Sequence, residues 1–149
     1  LELPADLEAL VAGARVARLA TVDERGRPHV VPVCFVLNEG CVYTPLDAKP
    51  KRVALVRLRR VRNIAANPDV QLLVDRYEED WTRLAYVQLR GRAALLEPGA
   101  PSTGSGQATH AAALALLRAK YAQYVAMPLE NAPLIKVTIE SVVTWRASS

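Results

Sequence analysis

The chain has 149 residues, 51% of them hydrophobic, and a net charge of +4. That length supports one domain around one core, and no apolar run reaches the roughly 18 to 20 residues that a membrane-crossing helix needs. Two cysteines and two widely separated histidines, His29 and His110, offer no metal-ligand spacing, so no metal site is expected.

Glu2, Asp6 and Glu8 stand where an export signal would carry positive charge, so a cytoplasmic location is expected. Ala17 to Val22 (ARLATV) reads as a short strand ending at the turn Asp23-Glu24-Arg25-Gly26. Val30 to Leu37 (VVPVCFVL) is β-branched enough for a second strand, and Pro32 within it marks a bulge or an edge, because it removes a ladder donor. Asn38-Glu39-Gly40 is a tight turn into a third strand, Cys41 to Thr44. Cys34 and Cys41 fall inside these runs and read as small buried hydrophobes rather than a disulfide. Pro45 to Pro50 breaks the pattern, and from Lys51 the spacing turns helical, with Ala54, Leu58, Val61 and Ala65 on one stripe. Asn67-Pro68 ends that helix.

Asp69 to Tyr77 and Leu84 to Leu96 predict two more strands, joined by the acidic turn Glu78-Glu79-Asp80. Gly91, inside the second, predicts a bend or a close backbone approach. Glu97 to Gln107, rich in Gly, Ser and Pro, is a surface loop. Thr109 to Tyr124 predicts a second helix with Tyr121 and Tyr124 packing at its end, and Leu134 to Trp145 alternates as a half-buried strand. The order β-β-β-α-β-β-α-β, with hairpin turns between most neighbours, predicts a mainly β fold. Its form is an antiparallel β-barrel with flanking helices, in a single domain over residues 1–149.

Charge is segregated along this order. Between Lys49 and Arg62 lie seven basic residues and no acidic one, leaving 12 Lys and Arg against 15 Asp and Glu elsewhere. Such a concentration suits an anionic partner. The arginines flank the apolar stripe on both sides, so some lie against the protein body. Lys49, Lys51 and Arg52 stand where the predicted helix begins, and there several cations can converge with N-terminal amides on a phosphate. Nucleic acid is not the expected partner, because the segment has no aromatic residue for base stacking. Neither a G-x-G-x-x-G, nor a P-loop, nor a serine nucleophile elbow is present.

Several stretches then come in a recognisable order: LATVDERGRPHVVPVCF at 19–35, VYT followed by Lys-Pro-Lys at 49–51, and RNIAANPDV at 62–70. After them come Trp81, Leu84, Val87 and Gly91, and Val142-Val143-Thr144-Trp145. On these residues the chain resembles the pyridoxamine 5'-phosphate oxidase-like, FMN-binding split-barrel superfamily, and within it the branch that uses the deazaflavin coenzyme F420. The resemblance implies a homodimer of split barrels with coenzyme sites in the grooves between subunits. It implies that Lys49 and Lys51 hold the coenzyme phosphate, where the charge pattern adds Arg52, that Val31, Pro32 and Val33 lie along the ring, and that Trp81 and Tyr86 face the groove. His29 stands where the FMN oxidases carry an arginine, and the pyridoxal-phosphate-binding residues have no counterpart. The activity implied is F420-dependent hydride transfer to a small acceptor. FMN in place of F420 and a non-catalytic coenzyme carrier are the alternatives. The absence of a recognisable acid–base pair is compatible with an enzyme, since hydride chemistry belongs to the coenzyme.

Overall fold

Seven antiparallel strands form one curled sheet: β1 (Ala17–Val22), β2 (Pro28–Val33), β3 (Val36–Asn38), β4 (Cys41–Pro45), β5 (Asp69–Arg76), β6 (Ala85–Leu96) and β7 (Leu134–Arg146). Their order is β2-β1-β5-β6-β7-β4-β3, the mainly β split-barrel architecture expected from the sequence. The structure is a computed structural model that describes residues 1–46, 58–100 and 107–148. Among the described residues three α-helices accompany the sheet: α1 (Ala5–Gly13), α2 (Arg59–Ala66) and α3 (His110–Lys120). None of the described helices is long and apolar enough to cross a membrane.

Alternation along the strands sets the two faces of the sheet. Ala17, Leu19 and Thr21 of β1, Val70, Leu72 and Val74 of β5, and Val87 and Leu89 of β6 all point inward and are buried. Leu7 and Val11, one turn apart on α1, and Val61 and Ile64 of α2 pack onto this inner face. A second apolar cluster lies under α3, where Ala113, Leu114 and Leu117 meet Tyr43 and Leu134.

The structure corrects the sequence reading in four places. The run Val30 to Leu37 is two strands, because β2 and β3 lie on opposite edges of the sheet and the chain crosses between them at Cys34 and Phe35. Pro32 lies on an edge strand, where a missing N–H is tolerated. The helix α1 was not anticipated, although Leu7, Leu10 and Val11 recur at helical spacing and pack on the core. On α2 the buried face runs through Val61, Asn63 and Ile64, while Ala65 is exposed. The predicted beginning of that helix at Lys51, with Ala54, lies outside the described residues. Finally, α3 ends at Lys120, and Tyr124 belongs to a separate 3-10 turn, Ala122–Tyr124. Both tyrosines are buried and their ring centroids are 5.4 Å apart, as packing at a helix end requires.

Two local devices hold the edges. The Asp23 carboxylate accepts hydrogen bonds from the backbone N–H of Arg25 and Arg27, which closes the β1–β2 turn. Those bonds, the one from Arg27 foremost, hold the carboxyl below its usual range. At the crossover, the Tyr121 hydroxyl accepts from the Phe35 N–H at 3.0 Å. It lies 2.9 Å from the Arg15 carbonyl and 3.1 Å from that of Phe35, either of which takes its hydrogen. The polar backbone of Phe35 at the crossover is thereby satisfied.

Candidate functional site

The outward residues of the sheet line up in rows that the strand register defines. One row runs Pro32, Arg18, Leu73, Gln88, Val143, from β2 through β1, β5 and β6 to β7. The neighbouring row contains Asp75, Tyr86 and Trp145. A β-bulge makes this arrangement possible. Arg90 pairs with Ser141 but Gly91 with Ile139, so Glu140 is an extra residue in β7. Beyond it the inward set passes from Ile135, Val137 and Ile139 to Val142, and Val143 and Trp145 turn outward.

Over these rows lies an open groove of about 570 Å³ whose lining includes Leu73, Asp75, Tyr77, Tyr86, Gln88 and Trp145. The Tyr86 and Trp145 rings stack, with centroids 6.1 Å apart and planes 19° from parallel. The Thr144 hydroxyl donates to the Tyr86 carbonyl (3.1 Å) and ties the two strands together beneath the pair. Asp75, the one carboxylate of the groove wall, is held by Arg18 at 3.1 Å. At the groove's end, the Asp80 carboxylate accepts from the Thr82 N–H and hydroxyl and fixes the turn that carries Trp81. These bonds keep the Asp80 carboxyl below its usual range. The result is a wide, mostly apolar slot with aromatic walls, one amide, the ion-paired Asp75 and the Arg76 guanidinium, whose Nε donates to the Arg83 carbonyl; this is chemistry for a flat ring system.

The residues singled out in the sequence divide among three places. Pro32 and Tyr86 share the outer face, and Trp81 stands exposed in the turn beside the groove without lining it. Val31 and Val33 point inward onto the core. His29 also faces inward, opposite Thr21, whose hydroxyl accepts from the Asn63 amide at 3.0 Å. His29 Nδ1 and Asn63 Oδ1 are buried there without a hydrogen-bond partner. Each costs about 1 to 3 kcal/mol unless a water or ligand atom meets it. Lys49, Lys51 and Arg52 lie outside the described residues. The sequence reading missed Leu73, Tyr77 and Gln88, and it quoted Trp145 without a role. The signal available for them was an apolar residue at an outward position of an otherwise alternating strand, as at Leu73.

No group of three His, Cys, Asp or Glu side chains capable of holding a metal stands together among the described residues. Residues 3–146 match the family model described as pyridoxamine 5'-phosphate oxidase, and the chain belongs to that family. No protein of curated function matches it in sequence. Among solved structures it is similar to an FAD-binding protein from Mesorhizobium loti, at 21% identity over 98% of this chain and 96% of that one, with a TM-score of 0.67. It is similar to an F420 reductase at 20% identity, over 95% and 98% of the two chains, with a TM-score of 0.66. A third similar structure is HutZ, the heme storage protein from Vibrio cholerae, at 16% identity over 98% and 95%, with a TM-score of 0.65. At these identities what is shared is the fold.

Proposed function

We propose that this protein is an oxidoreductase that uses a flavin-type coenzyme, F420 in preference to FMN, to exchange hydride with a small acceptor. The observation that carries the reading is the outer-face groove, whose apolar, aromatic wall is built from Leu73, Tyr77, Tyr86 and Trp145. Its chemistry fits a heteroaromatic ring of coenzyme size. Family membership over residues 3–146 and the likeness to an F420 reductase and an FAD-binding protein support it. A bound flavin or deazaflavin supplies the hydride chemistry. Leu73, Tyr77 and the stacked Tyr86–Trp145 pair would hold such a ring by apolar and aromatic contact. Gln88 offers an amide for hydrogen bonding. Lys49, Lys51 and Arg52 are proposed to hold the anionic tail, where charge-assisted hydrogen bonds are strongest. A homodimer, each subunit covering the other's outer face, completes the proposal.

Equilibrium titration of the purified chain with FMN and with F420, oxidised and reduced, tests the reading, followed by an acceptor screen with whichever binds. Replacing Lys51 by alanine removes a charge-assisted bond of about 1.5 to 3 kcal/mol, so the dissociation constant rises about tenfold to a hundredfold, and replacing Lys49 as well raises it further. The unliganded melting temperature stays the same. A double variant that binds both coenzymes as tightly as the parent removes the phosphate assignment. Binding without turnover favours the second reading, a coenzyme carrier, for which the likeness to a heme storage protein is the observation.

A further inference from the structure

Arg15 and Lys120 meet where the chain crosses from one sheet edge to the other, and among the described residues no carboxylate pairs with either. Arg15 Cζ stands 4.9 Å from the centroid of the Tyr121 ring. Lys120 Nζ is 5.2 Å from the same centroid and 4.0 Å from that of Phe35. Arg15 Nη2 donates to the Lys120 carbonyl and the Lys120 ammonium to the Phe35 carbonyl, each at 2.9 Å. Cys34 and the Tyr121 hydroxyl are the other titratable groups beside them. Neither cation forms an ion pair among the described residues. The sequence explains the imbalance. Residues 9–22, 25–38 and 107–129, the stretches that build this corner, contain no aspartate or glutamate, although the chain has 15.

One compensation is present and is too small. Lys120 is the last residue of α3, and a helix C-terminus presents about half a negative charge. Two full positive charges oppose it. Partial burial, and then repulsion from Arg15, pull the Lys120 ammonium down to about 8. After the bonds to backbone carbonyls, the ammonium still has N–H groups to give and the guanidinium keeps most of its donor fork. Arg15 is exposed and Lys120 half-buried, so a solute can reach both.

We propose that Arg15 and Lys120 form a binding site for a phosphate group at the Cys34–Phe35 crossover. A phosphate dianion matches the charge of the pair, whereas a carboxylate matches half of it. The phosphate can be free or carried on a larger ligand, and the shared chemistry is a dianionic oxyanion that accepts from both side chains.

The test is a pH titration of the Lys120 side chain by NMR on the whole chain, with and without inorganic phosphate at matched ionic strength. Phosphate is expected to raise the Lys120 midpoint by about one pH unit or more, while chloride leaves it in place. Arg15→Gln lowers phosphate affinity about tenfold. Lys120→Arg keeps the phosphate-induced shifts at the Phe35 and Tyr121 amides, and Lys120→Gln loses them. FMN and riboflavin then separate the sources. A response to FMN and not to riboflavin assigns the site to a phosphorylated ligand, and a response to inorganic phosphate alone assigns it to free phosphate. An unmoved midpoint in the parent, an equal effect of chloride or riboflavin, or a response that survives in the Arg15→Gln, Lys120→Gln double variant overturns the proposal.

Discussion

Gly91 lies against the backbone of Thr138: a Cβ built on the glycine would overlap the Thr138 carbonyl oxygen and stand 3.0 Å from Val137 Cγ1. The approach follows from the bulge at Glu140, which brings β7 close to β6 at this point. A side chain here must push β7 away. Gly91→Ala is expected to lower stability by about 1 to 3 kcal/mol, and Gly91→Val by more. Denaturant unfolding of each variant, with coenzyme titration of the folded fraction, checks this. A variant that unfolds like the parent but has lost binding would place Gly91 in the ligand site instead.

The Tyr121 hydroxyl satisfies the Phe35 N–H in a buried setting. Tyr121→Phe leaves that donor unmet while the ring packing against Tyr124 persists. The expected cost is about 1 to 3 kcal/mol. Amide exchange at Phe35 should accelerate more than exchange in β5 or β6. Equal acceleration throughout the sheet would mean that the crossover is not locally held by this residue.

Why some of this was legible in the sequence and some was not follows from range. Strands β1, β4, β5, β6 and β7 were readable because alternation and turn residues are local, and the strained contact at Gly91 was readable because glycine within a strand has few other uses. The break at Cys34–Phe35 was not. Its cause is that β2 and β3 occupy opposite edges, and the residue that stabilises it, Tyr121, is 86 positions away. The groove was half legible. Tyr86 stood out through the family resemblance, but Trp145 faces outward only because Glu140 shifts the register, and nothing in LIKVTIESVVTW announces a bulge. Likewise His29 lies three residues from Pro32 in the same strand, and alternation over that odd spacing points its side chain to the opposite face.

Lys120 makes stability depend on pH above neutrality. Its folded-state value, about 8, is depressed below the ordinary 10.5. Between those values the unfolded chain holds more protons than the folded one, so this group's contribution to stability rises with pH across that window. Burial pushes Tyr43 the other way, up to about 12 from 10.0, so its contribution falls with pH from 10 to 12. Urea midpoints measured from pH 7.5 to about 9.5 therefore report mainly on the lysine. The expected outcome is a rising component in the parent that is missing in Lys120→Gln. Parallel profiles for the two proteins would show that Lys120 titrates as an ordinary exposed lysine.

The last prediction concerns the outer face. Val30, Tyr77, Trp81 and Trp145 are 59%, 72%, 67% and 47% exposed, an unusual concentration of large apolar side chains around one sheet surface. Water is a poor environment for this surface, and the proposed dimer removes it by placing a second copy there. If so, the aromatic side chain of Trp145 is an anchor of the interface. Truncating such an anchor costs about 2 kcal/mol or more, which is about thirtyfold in the dimer dissociation constant. Trp145→Ser should therefore shift sedimentation toward the 16.2 kDa monomer at concentrations where the parent is dimeric. Because the ring is half in solvent in the single chain, the variant's own fold should change little, and its far-UV circular dichroism should overlay the parent's. Val143→Lys, in the adjacent row, should act in the same direction through an unpaired charge placed against the partner. A parent chain that sediments as a stable monomer at micromolar concentration would remove the dimer, and the groove would then have to bind its coenzyme from one subunit alone.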